Sequence, residues 1–223
     1  MKQCCLHSAN KHAWETLYGG AAGGAKTHGL LWDAYLNSIK YPGFRSIILR
    51  RTYPELEKSI IRESRKYFTP TMGRYFERKR EWRIYTTTEP STIEFGHCKN
   101  ESDVYRYQST QYDAMYIDEL THFTEFQFTY LITRVRPTKP GFKTFVKCAS
   151  NPGNIGHGWV RRRYNLLDKR YFFQVIEVKD GPDKPPQTRL FIPSFVTDNY
   201  YIVQNAPDYI QRLENSPFKK LLL

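Results

Sequence analysis

Cysteine is scarce: four residues in 223, at positions 4, 5, 98 and 148, two of them adjacent and none in C-x-x-C spacing. That argues against a zinc-thiolate site or a disulfide framework and fits reduced thiols in a cytoplasmic protein. No apolar run approaches the roughly 18 residues needed to span a bilayer. The opening stretch MKQCCLHSANKH lacks the apolar centre of a secretory signal, so nothing points to export. There is no internal repeat and no low-complexity segment. Acidic side chains are in deficit, 22 Asp and Glu against 34 Lys and Arg, which leaves a formal charge of +12. Such a field attracts polyanions, nucleic acid first among them, although a merely solvated basic surface has the same composition.

What is present suits a globular protein with a sizeable core, either one large domain or one domain plus a tail. Apolar pattern and turn residues alternate strand with helix. Residues 13–18 (AWETLY) read as a strand entering a glycine-rich turn. Leu30, Leu31, Ala34, Tyr35 and Ile39 then follow helical spacing until the YPG at 41–43 stops them. Further strands are expected at 45–52, 113–120, 142–152, 169–178 and 189–195, and a hairpin over 81–98 turning at Glu89-Pro90. Helices are expected at 54–68, 101–108, near 124–136 and from 158, with a loop at 180–187. A strand, glycine turn and helix opening an alternating chain predict a mostly parallel α/β sheet flanked by helices.

Three strand ends carry polar groups. The first, YGGAAGGAKT at 18–27, matches G-x-x-x-x-G-K-S/T at every constrained position except the second glycine, which is Ala25. Gly20, Ala21, Ala22, Gly23, Gly24 and Ala25 are small enough for successive backbone N–H groups to face a phosphate chain. A helix starting at Lys26 turns its positive end toward the anion. Lys26 would reach the β- and γ-phosphates and the Thr27 hydroxyl would ligate Mg²⁺. The extra methyl of Ala25 matters only if that residue needs positive φ. A plain glycine turn before a helix is the competing reading.

The second is DAMYIDEL at 113–120, an apolar run ending in Asp118-Glu119. Asp118 would hold the Mg²⁺ shell and Glu119 would act as general base on the attacking water. Successive strand residues face opposite ways, so both serve one site only if the strand ends there. The third is CASNPGN at 148–154, where Ser150 and Asn151 suit sensing of a γ-phosphate and Pro152-Gly153 force a turn. Either could be a simple exposed strand end. In a doubly wound sheet all three converge where the strands' carboxyl ends meet, and together they predict an ATPase.

The ordered strings YGGAAGGAKT, ILRRTYPEL (48–56), residues 93–128, ASNPGNIGHGWVRRRY (149–164) and FIPSFVTDN (191–199) resemble the ATPase domain of tailed-bacteriophage terminase large subunits, the motors that package viral DNA. The resemblance covers nearly the whole chain. It implies a P-loop ATPase with an additional strand beside the catalytic glutamate. It places Lys26 and Thr27 on the phosphate-loop Lys and hydroxyl, Asp118 on the Mg²⁺-holding Asp, Glu119 on the catalytic Glu, and Ser150 and Asn151 on the coupling motif. It also implies ATP and Mg²⁺, double-stranded DNA, a viral portal protein and a small terminase subunit as partners, and a homo-oligomeric ring on the portal in the cytoplasm of an infected bacterium.

Two departures stand out. Family members often carry an arginine in the phosphate loop as a finger, whereas 21–25 are all Ala or Gly here. The finger then comes from elsewhere: Arg106 first, with Arg50 and Arg51 behind it, and a surface arginine as the alternative for each. The second departure is length. Residues 1–200 read as the ATPase domain and 201–223 as the start of a connecting segment, with no room for the nuclease domain of the family, so no DNA cleavage is expected of this chain.

GRYFERKREWR (73–83) offers Arg78, Lys79 and Arg80 to DNA phosphates, and WVRRRY (159–164) offers Arg161, Arg162 and Arg163. A solvated face or a subunit contact is the alternative for both. His97, His122 and His157 lack ligand spacing and read as structural. The rivals to a packaging motor are another DNA-directed P-loop ATPase of helicase type, or a non-catalytic DNA- or portal-binding module with a degenerate loop.

Overall fold

The computed structural model describes residues 2–20, 23–179 and 186–215. Among these residues nine strands form one sheet: β1 (Glu15–Gly20), β2 (Arg45–Arg50), β3 (Gly73–Phe76), β4 (Glu81–Ile84), β5 (Ser91–His97), β6 (Ala114–Asp118), β7 (Phe145–Ser150), β8 (Val175–Val178) and β9 (Gln187–Ser194). Their order across the sheet is β3-β4-β5-β2-β6-β7-β1-β9-β8. Everything from β5 to β9 runs parallel, and β3, β4 and β8 close the two margins as antiparallel strands. The helices are α1 (Lys2–Ser8), α2 (Lys26–Lys40), α3 (Tyr53–Leu56), α4 (Arg62–Tyr67), α5 (Glu125–Ile132), α6 (His157–Arg163), α7 (Tyr200–Asn205) and α8 (Pro207–Glu214). A π turn, Glu57–Ile61, joins α3 to α4 without a break in the helical path.

Strand alternation builds two cores, one on each face. On β6, Ala114 and Tyr116 enter the core under α2 and α3, while Met115 and Ile117 enter the one under α5 and α6. Both faces are covered, so the central strands read as continuous apolar runs, as parallel strands must. The strand β7 lies between β6 and β1, and this is the additional strand expected beside the glutamate.

The expected elements are present with shifted ends. The hairpin over 81–98 forms as β4 and β5, with Ile84 opposite Ser91 across the Glu89-Pro90 turn. Ile39, the last of the apolar residues at helical spacing in α2, is exposed. Residues 169–178 do not form one strand: a 3₁₀ turn takes Lys169–Tyr171, and Phe173 at φ 60° breaks the extended path before β8. Among the described residues α1, β3, α7 and α8 were not foreseen. Strand β3 hides in a stretch dominated by charge, where Trp82 opposite Tyr75 supplies the apolar face. Helix α1 carries few apolar residues, chief among them the buried Leu6. Of the loop at 180–187, all but 186 and 187 lie outside the described residues. No helix among the described residues is long and apolar enough to cross a membrane.

Candidate active site

The three polar strand ends do converge. Parallel pairing aligns Gly19 with Ser150 and Asp118 with Ala149, so the carboxyl ends of β1, β6 and β7 stop at one level. They border a cleft of about 320 Å³ whose walls include the turn at 23–27, Glu119 and Asn151.

The turn owes its shape to close packing. Gly20 sits at φ 134°, where an added Cβ would collide with the Ser194 carbonyl oxygen. A Cβ added at Gly24 would overlap the Ser194 hydroxyl and force it to move. Ala25 adopts the left-handed conformation, φ 53° and ψ 32°, immediately before α2. The non-glycine residue of the motif therefore stands where positive φ is required, at a cost of about 1–2 kcal/mol. Ala21 and Ala22, expected on the phosphate, lie outside the described residues.

Lys26 begins α2 and is buried, with 7% of its surface exposed. Burial lowers the pKa of its ammonium, and the carboxylates of Glu119 and Asp118 oppose that shift. The Thr27 hydroxyl donates to both oxygens of Asp118 at 3.1 Å. Burial pushes the Asp118 carboxyl up to about 6, against the pull of Arg50. The problem of two adjacent acids on a strand is solved by the backbone. Asp118 is the last residue of β6, and Glu119 turns left-handed at φ 57° and ψ 56°, which brings its carboxylate to the same side. Asn151 then holds it: the side-chain amide donates to one Glu119 oxygen at 3.1 Å and the backbone N–H to the other at 3.3 Å. Ser150 points the other way, accepting from the Thr121 N–H at 3.1 Å and meeting its hydroxyl at 2.9 Å. Ser150 and Asn151 thus tie β7 to both sides of the acidic turn.

These groups fit a phosphate chain with a divalent cation. Among the described residues no three His, Cys, Asp or Glu cluster as a metal cage. Mg²⁺ does not demand one, since it binds through one or two protein oxygens plus substrate phosphates, and Thr27 and Asp118 supply such a pair. Among the described residues the Arg50 Nε is buried without a hydrogen-bond partner, as is the amide oxygen of Asn151 at the cleft wall.

Arg50 ends β2, level with Asp118, with Nε 3.6 Å from Asp118 and a terminal nitrogen 3.9 Å from Glu119. Arg106, ranked before it as the finger, sits on the exposed 3₁₀ turn Glu101–Tyr107, paired with Asp103 at 3.0 Å, and does not line the cleft. Arg51 donates to the backbone carbonyl of His122. Sequence order could not rank these three, because β2 and β6 become neighbours only in the folded sheet.

Of the residues assigned to DNA, Arg78 and Lys79 are exposed at the β3–β4 turn, and Arg80, left-handed at φ 52°, lies over the Tyr53 ring at 4.1 Å. Arg161 and Arg162 are exposed on α6. Arg163 is not: its guanidinium binds the buried Glu15 carboxylate through two bonds of 2.7 and 2.8 Å. A guanidinium committed in this way to a buried carboxylate is not presented to phosphate, which weighs against DNA contact at Arg163. His157 accepts from the Gly153 N–H at 3.1 Å, and His97 lies 3.3 Å from Arg106. Residues 201–215, expected as a connecting segment, form most of α7 and α8 and press on the phosphate turn. Asn199 donates to the Gly23 carbonyl at 2.8 Å, and Ile202 lines the cleft. Nothing in the sequence assigned either of them to the site.

Residues 18–219 match the family model for the terminase large subunit, T4-like-virus type, N-terminal part. Among solved structures, the large terminase of a thermophilic bacteriophage is similar at TM-score 0.72 and 15% identity, over 100% of this chain and 52% of that one. The same phage protein in complex with ADP aligns at 0.71 and 14%, with 100% and 52% covered. The large terminase ATPase domain of Thermus phage P74-26 aligns at 0.61 and 14%, covering 98% of this chain and 89% of that domain. The chain thus spans about half the length of the first of these proteins. None of the curated protein sequences compared matches it.

Proposed function

The chain belongs to the terminase large-subunit family of the T4-like-virus type, and from that premise we propose that it is an ATP-hydrolysing motor unit that drives double-stranded DNA into a viral procapsid. The observation that carries the reading is the meeting of Lys26, the Thr27–Asp118 pair and the Asn151-held Glu119 at one cleft.

The N–H groups at the start of α2 and the Lys26 ammonium bind and orient the triphosphate. Thr27 and Asp118 are the residues that would hold Mg²⁺, which supplies charge neutralisation on the phosphate oxygens when bound. Glu119 takes a proton from the water that attacks the γ-phosphorus. The bond from phosphorus to the β–γ bridging oxygen breaks, and ADP and phosphate leave. Asn151 sets the direction of the Glu119 carboxylate, so hydrolysis and the position of β7 are linked through one hydrogen-bonded pair. Arg106 fits the finger of a neighbouring chain better than of its own, since it is exposed and away from this cleft.

DNA contact falls to Arg78, Lys79, Arg80, Arg161 and Arg162. The wider partners are a portal protein, a small terminase subunit and further copies in a ring, in the cytoplasm of the infected host. Helices α7 and α8 belong with residues 1–200 to the ATPase unit rather than to a connecting segment, since Ile202 and Tyr209 pack at the turn and Ile202 lines its cleft.

ATPase assays test the reading. Glu119→Ala is expected to lower kcat by about 10²- to 10⁴-fold with nucleotide still bound, and Lys26→Ala to weaken nucleotide binding itself. Hydrolysis unaffected by either substitution would overturn it.

A further inference from the structure

We propose that the outer face of the α3–α4 helix is a contact site for the phosphate backbone of double-stranded DNA, and that its occupancy reaches the catalytic carboxylates through Ser59 and Arg50. The proposal rests on the motor reading above and adds residues that it did not include.

A surface groove of about 330 Å³ is lined by Glu57, Lys58, Ile61, Arg62 and Arg65. Lys58, Arg62 and Arg65 are exposed and spaced four and three residues apart, so they stand on one helix face. At 1.5 Å per residue they cover roughly 10 Å of the axis, about three phosphate steps of one DNA strand at 3.4 Å each. Two of these three charges are not consumed within the described residues. Lys58 and Arg62 have no ion-pair partner among the described residues, and Glu57 is the single acid of the groove. Arg65 is held in place, paired with Glu77 and stacked on the Tyr75 ring at 4.6 Å. Through that pair the groove adjoins the β3–β4 turn and its exposed Arg78 and Lys79, which makes one basic surface of two elements.

The same helix faces the active site. Lys58 and Ser59 are consecutive residues of the π turn Glu57–Ile61, an interruption of the kind that recurs at functional positions in helices. The Ser59 hydroxyl donates to the Glu55 carbonyl at 2.6 Å and accepts from the Arg50 guanidinium. That guanidinium lies 3.6 Å from Asp118 and 3.9 Å from Glu119. A phosphate drawing Lys58 outward moves the turn that anchors Arg50, and with it the field on both carboxylates.

The test uses the full chain, a labelled DNA duplex of mixed sequence, and ATPase rates with and without that duplex. The double variant Lys58→Ala, Arg62→Ala is expected to bind duplex at least about tenfold more weakly, with a slope of log affinity against log salt about 1.8 shallower. Its basal ATPase should equal the parent's. Ser59→Ala is expected to keep duplex affinity and salt slope but to lose the DNA stimulation of hydrolysis. Parental affinity and slope in the double variant overturn the contact site, and full stimulation in Ser59→Ala overturns the route to Arg50. A parent protein that hydrolyses ATP yet binds no duplex also overturns the site, and one that does neither overturns the motor reading with it.

Discussion

Ala25 shows how one residue can break a motif and keep its geometry. Its φ of 53° is the conformation glycine would adopt at little cost, and alanine bears about 1–2 kcal/mol of strain there. Replacement by glycine relieves that strain but loosens the unfolded chain by roughly 0.4–1 kcal/mol. Ala25→Gly should therefore leave thermal stability equal or slightly higher and keep nucleotide affinity, as melting curves with and without ADP would show. A β-branched side chain cannot take this conformation, so Ala25→Val is expected to abolish nucleotide-dependent stabilisation. Equal behaviour of the two variants would mean that the turn rearranges when nucleotide binds. Glu119 uses the same left-handed device at the opposite wall, where it brings two consecutive acids to one site.

Helix α6 separates two roles that its sequence runs together. Arg161 and Arg162 face solvent, whereas Arg163 reaches back to Glu15 at the start of β1, which Arg189 also approaches at 3.7 Å. Glu15 is fully buried, and losing the bidentate partner leaves its carboxylate poorly compensated. Arg163→Ala is expected to destabilise the fold by about 3 kcal/mol, read as a lower urea midpoint. The double variant Arg161→Ala, Arg162→Ala should unfold like the parent and lose DNA affinity instead. A common phenotype for both variants would contradict this division. The adjacency of β1, α6 and the turn at 150–154 also means that the Glu15–Arg163 pair braces the strand leading into the phosphate turn.

At the scale of the whole molecule, strand order decides what the arginines can do. Placing β2 beside β6 puts Arg50 at the carboxylates, and the 3₁₀ turn that follows β5 puts Arg106 on an outer surface. If Arg106 completes a neighbour's site, mixing two inactive proteins restores hydrolysis. Arg106→Ala keeps an intact cleft, Glu119→Ala keeps the finger, and their mixture should exceed the sum of the separate rates. No recovery at concentrations where the parent is active would assign Arg106 to its own chain or to the surface. The net charge of +12 makes any such assay salt-sensitive, so ionic strength must be held fixed.

The sequence by itself determined the alternation of strand and helix, the apolar strands of the centre, and the three polar strand ends at Lys26-Thr27, Asp118-Glu119 and Ser150-Asn151. Periodicity and local turn chemistry act over a few residues, and they carry that information without a partner. Tertiary structure decided what depends on distant pairing. It packed Gly20 and Gly24 against Ser194 at the end of β9, and turned Arg163 inward to Glu15. It brought Asn199 and Ile202 onto the phosphate turn from 176 residues away in the case of Asn199 and Gly23. It also chose Arg50 as the arginine beside the acids, because a charge finds its counter-charge only after the sheet has ordered its strands.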